Sequence, residues 1–307
     1  MAPTHRPSVP RWLRSEAARS FLGTPSVVVA AGVWTLLVLG AALAGVIAPH
    51  DPFDLAALDL AHVRLPPAWL EGGMPLYLLG TDAQGRDMLS ALMYGARISL
   101  VVGALSVLLS VLIGVSLGLI AGYRGGRTDA LIMRLCDVML SFPAILVALL
   151  IAGLGRTLMP EASSAAALVV VVLSIALTGW VQYARTVRGS TLVEREREYV
   201  MAARILGGST PRVLLLHILP NVTGPVLVLA TIQLATAILT EATLSFLGVG
   251  VPITSPSLGT LIRVGNDYLF SGEWWIALFP GAVLVLIALS VNLLGDWLRD
   301  VMNPRLR

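Results

Sequence analysis

Two carboxyl groups lie in otherwise apolar stretches, Asp137 and Glu241. Ionisable side chains in such surroundings are costly, and by default they signal function. Asp137 follows Arg134 by three residues, and an interfacial ion pair accounts for it. Glu241 lies deep in its stretch, near the outer boundary; there it either meets a structural partner or lines a path. Two isolated acids are few for a proton relay. The other reactive types form no constellation. His5, His50, His62 and His217 are scattered and show no HExxH zinc spacing. A lone cysteine, Cys136, excludes an internal disulfide framework. All 21 basic residues are Arg, so the Lys that a phosphate-cradling P-loop needs is missing. No Ser, His and Asp stand at a catalytic spacing. The chain is therefore expected to be non-catalytic and to carry no metal or cofactor.

What remains is a mechanical pattern, "TLVEREREYVMAARILGGSTPRVLLLHILPN", Thr191 to Asn221. Apolar residues at Leu192, Val193, Tyr199, Val200, Ala203 and Leu206 predict a helix with Glu194–Glu198 mostly on its other faces. Gly207-Gly208 can turn left-handed and end it. Thr210-Pro211 is a restart, a capping hydroxyl followed by Pro in the first turn. A second short helix, Arg212–Leu219, is then expected, stopped by Pro220. The small pair Ala202-Ala203 beside the turn would leave a low, rigid knob able to enter another protein's groove. An amphipathic helix lying on a membrane would explain the arginines and the apolar face. It would not require the Gly-Gly/Thr-Pro punctuation.

The elements that must position this segment are membrane spans. The chain is 56% hydrophobic and 13% charged, against roughly 25% charged in soluble domains, and its mean hydropathy is +0.84. Six apolar runs approach the roughly 20 residues that cross a bilayer: Val27–Ala48, Ile98–Ala121, Val138–Leu154, Ser164–Val181, Val222–Leu247 and Trp274–Leu294. The third is the shortest. The first exceeds a signal-peptide core of about 7–15 residues, so it is expected to be an uncleaved anchor. With the N-terminus inside, 16 arginines fall on cytoplasmic segments and 5 outside, which predicts both termini in the cytoplasm. The net charge of +3 and pI of 9.4 therefore reflect orientation rather than nucleic-acid binding.

The expected organisation is a cytoplasmic tail over 1–26, a first span and extracytoplasmic segment over 27–96, a core over 97–296 with its loop at 190–221, and a tail over 297–307. Ser106, Ser110, Gly114, Gly118 and Gly122 recur every fourth position in the second span and mark a packing face, expected within the chain. Pro143 and Pro280 should kink or break their helices. The segment Gly80, Thr81, Asp82, Gly85, Arg86, Asp87, within "GTDAQGRD", is either an outward contact site or a turn held by Asp side chains.

The 191–221 segment resembles the cytoplasmic coupling loop of ABC-importer permeases, Glu-Ala-Ala, three residues, Gly, nine residues, Ile-x-Leu-Pro. The matching residues are Ala202, Ala203, Gly207, Leu219 and Pro220, with Met201 in place of the Glu and His217 in place of the Ile. "LLGTDAQGRDMLSALMYGARISLVVG", "DVMLSFPAILVALL", "REREYVMAARILG" and "EATLSFLGVGVP" are similar to the dipeptide/oligopeptide permease family, to its second, C-type subunit. The resemblance implies an all-α, six-helix type I importer permease. It implies a heterodimer with a second, B-type permease, two ATPase subunits holding ATP and Mg, and an extracytoplasmic binding protein. The loop Glu198, Ala202, Ala203, Gly207, Gly208, His217, Leu219, Pro220, Asn221 would then dock on an ATPase, and Glu241, Asp137 or Pro143 would line the path or an interface. Peptides are the implied cargo. Nickel chelates or glutathione are alternatives within the same architecture, and an ion-coupled secondary transporter is the alternative of a different class.

Overall fold

A computed structural model describes residues 16–52, 60–159 and 163–302. Arg6, Arg11, Arg14, Arg305, Arg307 and His5 lie outside these residues. In chain order the helices are α1 (Glu16–Gly23), α2 (Pro25–Ala42), α3 (Ala44–Ile47), α4 (Met88–Arg124), α5 (Gly126–Leu140), α6 (Ala144–Leu158) and α7 (Ser164–Glu194). There follow α8 (Glu198–Ile205), α9 (Thr210–Arg212), a π-helical turn (Val213–Ile218), α10 (Leu219–Phe246), α11 (Leu258–Asn266) and α12 (Trp275–Met302). Several starts are capped by the expected chemistry. Asp87 accepts the Ser90 N–H at 2.8 Å, Ser163 that of Ala166 at 3.3 Å, and Ser257 that of Thr260 at 3.3 Å.

Five helices are long and apolar enough to cross a membrane: α2, α4, α7, the continuous run Thr210–Phe246, and α12. At 1.5 Å per residue α4 is about 55 Å long, well beyond a hydrocarbon core of roughly 30 Å. The sixth expected span is not one straight helix. It is α5 and α6, bent by 89° across Ser141-Phe142-Pro143. Proline disfavours a helical conformation at the residue before it, so the break falls at Phe142 and Pro143 becomes the N-cap of α6. Pro280, by contrast, is buried within an unbroken α12.

The helices run alternately between two ends of the bundle. One end carries α8, the turn after it, and the described chain termini, with Phe21 stacked edge-on against Trp297 at 5.3 Å. We call it the loop end. The far end carries residues 60–87 and α11, where Trp275 Nε1 donates to the Thr81 carbonyl at 3.1 Å.

The α4–α7 seam is built on the small-residue stripe. A Cβ on Gly118 would lie 2.6 Å from the Ala184 carbonyl oxygen and 2.8 Å from Val187 Cβ. On Gly122 it would lie 2.7 Å from Thr191 Cβ. Only glycine lets the two backbones approach so closely. Ser110 adds a hydrogen bond to the Ala176 carbonyl at 3.2 Å. The stripe is thus spent within the chain.

Two further sequence features are also consumed by the fold. Gly80, Thr81, Asp82, Gly85, Arg86 and Asp87 are all buried, so they do not form the contact surface considered from the sequence. Asp82 accepts the backbone N–H groups of Gln84 (2.8 Å) and Arg86 (3.0 Å) and the Arg86 Nε–H (2.7 Å). A carboxylate satisfying its own turn and pairing with a buried guanidinium is a fold element. Glu241 is fully buried, so it does not line an open path in this chain. It accepts Ser99 and Ser245 hydroxyls, each at 2.7 Å, and those serines receive the N–H groups of Leu258 and Val251. One carboxyl group ties α4, α10 and the start of α11 together.

The seam yields a prediction. Gly118→Leu should destabilise the purified protein by about 2 kcal/mol through overpacking, read as a lower Tm in detergent. Gly153→Leu is the control, because nothing lies within 4 Å of its would-be Cβ. Equal Tm values for the two variants would refute the role given to the seam.

Candidate functional site: the loop at residues 195–218

The loop between α7 and α10 is braced on the bundle. Arg195 donates to the Gly122 carbonyl at 2.9 Å, and the Arg204 guanidinium stacks 4.7 Å over the Tyr123 ring. Val200 and Val213 are buried beneath it, packed with Leu119, Tyr183 and Val187. Arg188 pairs with Asp129 and Arg185 with Asp137, fixing α5 beside α7. Asp137 therefore pairs with Arg185, not with the Arg134 that the sequence suggested.

The helix expected through Leu206 is interrupted at 195–197, where the turn carries Arg195, Glu196 and Arg197, so α8 is not continuous with α7. Glu198 opens α8, exposed, where a carboxylate complements the helix dipole. At its other end Gly207 adopts φ +81°, which suits glycine. Gly208 N–H reaches the Ala203 carbonyl and Gly207 N–H that of Arg204, each at 3.0 Å. This is the paired bonding of a Schellman stop. The restart is shifted by one residue from the sequence reading: Ser209 is the N-cap, Thr210 the first helical residue and Pro211 the second.

Pro220 does not stop the chain. The π turn before it reroutes the backbone bonding, and such adjustments let a span absorb a proline. The Asn221 amide donates to the His217 carbonyl at 2.7 Å, satisfying an acceptor in the disturbed turn. The helix then continues through Leu219 and Pro220 to Phe246.

The two limbs of the loop are knotted at their base. The Tyr199 hydroxyl donates to the Glu194 carboxylate and accepts from Asn221 Nδ2 at 3.0 Å. The phenol is pushed up to about 12, first by burial and then by the Glu194 hydrogen bond, so it remains a donor across physiological pH. A raised value means the interaction is complete below the ordinary phenol range and is lost only as pH climbs through about 12. His217 contributes its carbonyl to this knot; its ring has no partner among the described residues.

The surface this presents differs from a knob of small residues. Ala202, Ala203, Gly207 and Gly208, with Arg212 and His217, wall a cleft of about 620 Å3. What projects beside it is Ile205-Leu206, each 86% exposed. Sequence reasoning missed both, because helical periodicity assigns Leu206 to the inner face. The available signal was position: residues that immediately precede a Gly-Gly stop leave the packed face at the turn. The loop is thus capped at both turns and carries an apolar tip.

With that geometry in hand, comparison with known proteins is decisive. A family model described as "Binding-protein-dependent transport system inner membrane component" matches residues 114–307. The chain belongs to this family. It is similar to the di/tripeptide transport system permease protein DppC of Pseudomonas aeruginosa, 40% identical over 89% of this chain and 86% of that one. It is 39% identical to the dipeptide transport system permease protein DppC of Haemophilus influenzae, over 89% of each. The oligopeptide transport system permease protein OppC of Bacillus subtilis is 37% identical over 83% of this chain and 78% of that one. In structure the chain resembles the MetNI methionine ABC transporter solved in inward-facing conformations, with TM-score 0.54 and 17% identity over 70% of this chain and 98% of that one. That likeness establishes the type I importer permease fold. The protein is thus a multi-pass membrane permease subunit of an ABC importer.

Removing the knot should loosen the loop alone. Tyr199→Phe is expected to cost about 1 kcal/mol of local stability. Amide hydrogen exchange over 198–218 should quicken several-fold while α4 and α7 stay protected. Unchanged exchange in the loop would show that the knot does not hold it.

Proposed function

We propose that the loop end faces the cytoplasm and that residues 198–221 dock this permease onto an ATP-hydrolysing subunit. The observation that carries this is the exposed Ile205-Leu206 tip on a doubly capped, knotted loop. Apolar residues so exposed on a rigid element are suited to burial against a partner. The arginine asymmetry supports the orientation, and both described ends of the chain lie at the loop end. In this reading two ATPase subunits bind ATP and Mg, a second, B-type permease completes the path, and an extracytoplasmic binding protein delivers cargo. The domain limits read from the sequence, with a core over 97–296, stand as part of the same proposal.

Closure of the ATPase pair would displace the tip. The movement would pass through the π turn into α10, which is one continuous helix from the loop to the far end. The turn at 195–197 leaves α7 freer of the motion. Coupling of this kind requires a packed element that both sites bias. The proposed cargo is short peptides, on the strength of the peptide-transport relatives.

Affinity purification of this subunit from native membranes in mild detergent should recover a second permease and ATPase subunits. Recovery of this chain alone, while control complexes survive, would sink the proposal in favour of a self-sufficient transporter. Ala203→Arg and Leu206→Asp should each lose the ATPase subunits while keeping the second permease. Wild-type assembly and transport in both variants would show that coupling lies elsewhere. A reporter enzyme active only outside the cytoplasm, fused after residue 302, should be inactive; activity there would invert the orientation.

A further inference from the structure

Beside the seam, between α4, α6, α7 and α10, lies a recess of about 100 Å3. Its polar wall consists of Thr178 and Gln182 from α7 and Gln233, Thr236 and Thr240 from α10. Ala144 and Ile145, just after the Pro143 break, close one side.

The recess gathers unspent hydrogen-bonding capacity in one place. The threonine hydroxyls turn back on their own helices: Thr178 to the Ile175 carbonyl at 2.9 Å, Thr240 to that of Thr236 at 2.8 Å. Gln182 is exposed and Gln233 half-buried on the faces of α7 and α10, and neither amide has a partner among the described residues. Tyr183, also in the wall, is fully buried, and its hydroxyl is likewise unpartnered. An amide on a membrane span that finds no partner is costly against hydrocarbon, so it calls for a polar neighbour from outside the chain. Buried polar groups without partners also occur singly elsewhere, at Thr191 and Trp297, whereas here they gather around one concavity. Three unpartnered groups around one concavity therefore point to something that enters it.

The chemistry of the wall selects the visitor. A carboxamide offers two N–H donors and one carbonyl acceptor, the complement of a peptide group's own carbonyl and N–H. No Asp, Glu or Arg lines the recess. A charged terminus would find no counter-ion there, so nothing traps a zwitterion. Conduction requires binding weak enough to release.

Resting on the importer reading above, we propose that Gln182 and Gln233 are this subunit's cargo-contacting residues and hydrogen-bond the backbone amide of a passing peptide. Recognition is then of the peptide bond itself, indifferent to side chains. The other half of the contact comes from whatever closes the open side of the recess.

The test uses the whole transporter, expressed with its partners in cells lacking other peptide importers. Uptake of radiolabelled dialanine is compared with uptake of its analogue methylated on the peptide nitrogen, which cannot donate. The binding protein's own preference between the two, measured on the isolated protein, is common to all variants and cancels. Gln182→Leu and Gln233→Leu should each lower dialanine uptake by about tenfold, the worth of one hydrogen bond at roughly 1.4 kcal/mol. They should also bring the ratio of the two substrates down towards the binding protein's preference, with both ATPase and second permease still recovered. A ratio unchanged from wild type in both variants overturns the assignment, whatever the rates. So does loss of the second permease from the purified complex, which would make these amides an interface between subunits. If the wild-type transporter imports no peptide, the peptide-cargo reading falls and this inference falls with it.

Discussion

The structure depends on the close approach of α4 and α7. Gly114, Gly118 and Gly122 let the α7 backbone lie against α4, and Ser106 and Ser110 continue the stripe towards the far end. In lipid there is little hydrophobic drive to bring helices together, so van der Waals contact at such a seam supplies the cohesion. Everything functional is referenced to it. At the loop end, Arg195 reaches across to the Gly122 carbonyl at the last glycine of the stripe. Midway along, Ser110 and Gly179 flank the recess lined by the glutamines. At the far end, Ser99 of α4 carries the hydrogen bond that holds Glu241 and the start of α11.

Around that rigid pair the fold distributes stiffness unequally. The Glu241 knot and the Asp82–Arg86 turn are buried and held by paired side chains, which suits a frame that must not yield. α5 is held to α7 by two ion pairs whose members are partly exposed, a weaker tie. The run Thr210–Phe246 carries the far limb of the loop into α10 without a break. The helix that leaves the loop runs past the recess that Gln233 lines.

Where chemistry is local, the sequence was legible. The small-residue stripe, the Gly207 stop and the break at Pro143 follow from side-chain size, φ preference and proline sterics, and each stands where those rules place it. Misreadings arose where tertiary context decides. Pro220 carries the same local signal as Pro143, yet a π turn and the Asn221 side chain absorb it. Asp137 has Arg134 nearby in sequence, yet its partner is Arg185, 48 positions away. The GTDAQGRD segment looks like a polar surface loop, but its charges face one another and are buried. The prominence of Ile205 and Leu206 depends on where the loop ends in space, which no periodicity reports.

The π turn at Val213–Ile218 has a consequence for how such chains can vary. Its hydrogen bonds close over five residues where an α-helix closes over four. The segment therefore holds the length of chain that a regular helix would complete one residue sooner. Each residue of an α-helix advances the azimuth by about 100°. Deleting one residue here would let a regular helix cover the same rotation and leave the Ile205-Leu206 tip facing the same way, whereas a deletion in the regular part of α10 would swing what lies beyond it by that angle. The π turn thus gives the interval between Gly208 and Pro220 room for a one-residue change in length, while Val213 and Ile218, both fully buried, constrain its composition.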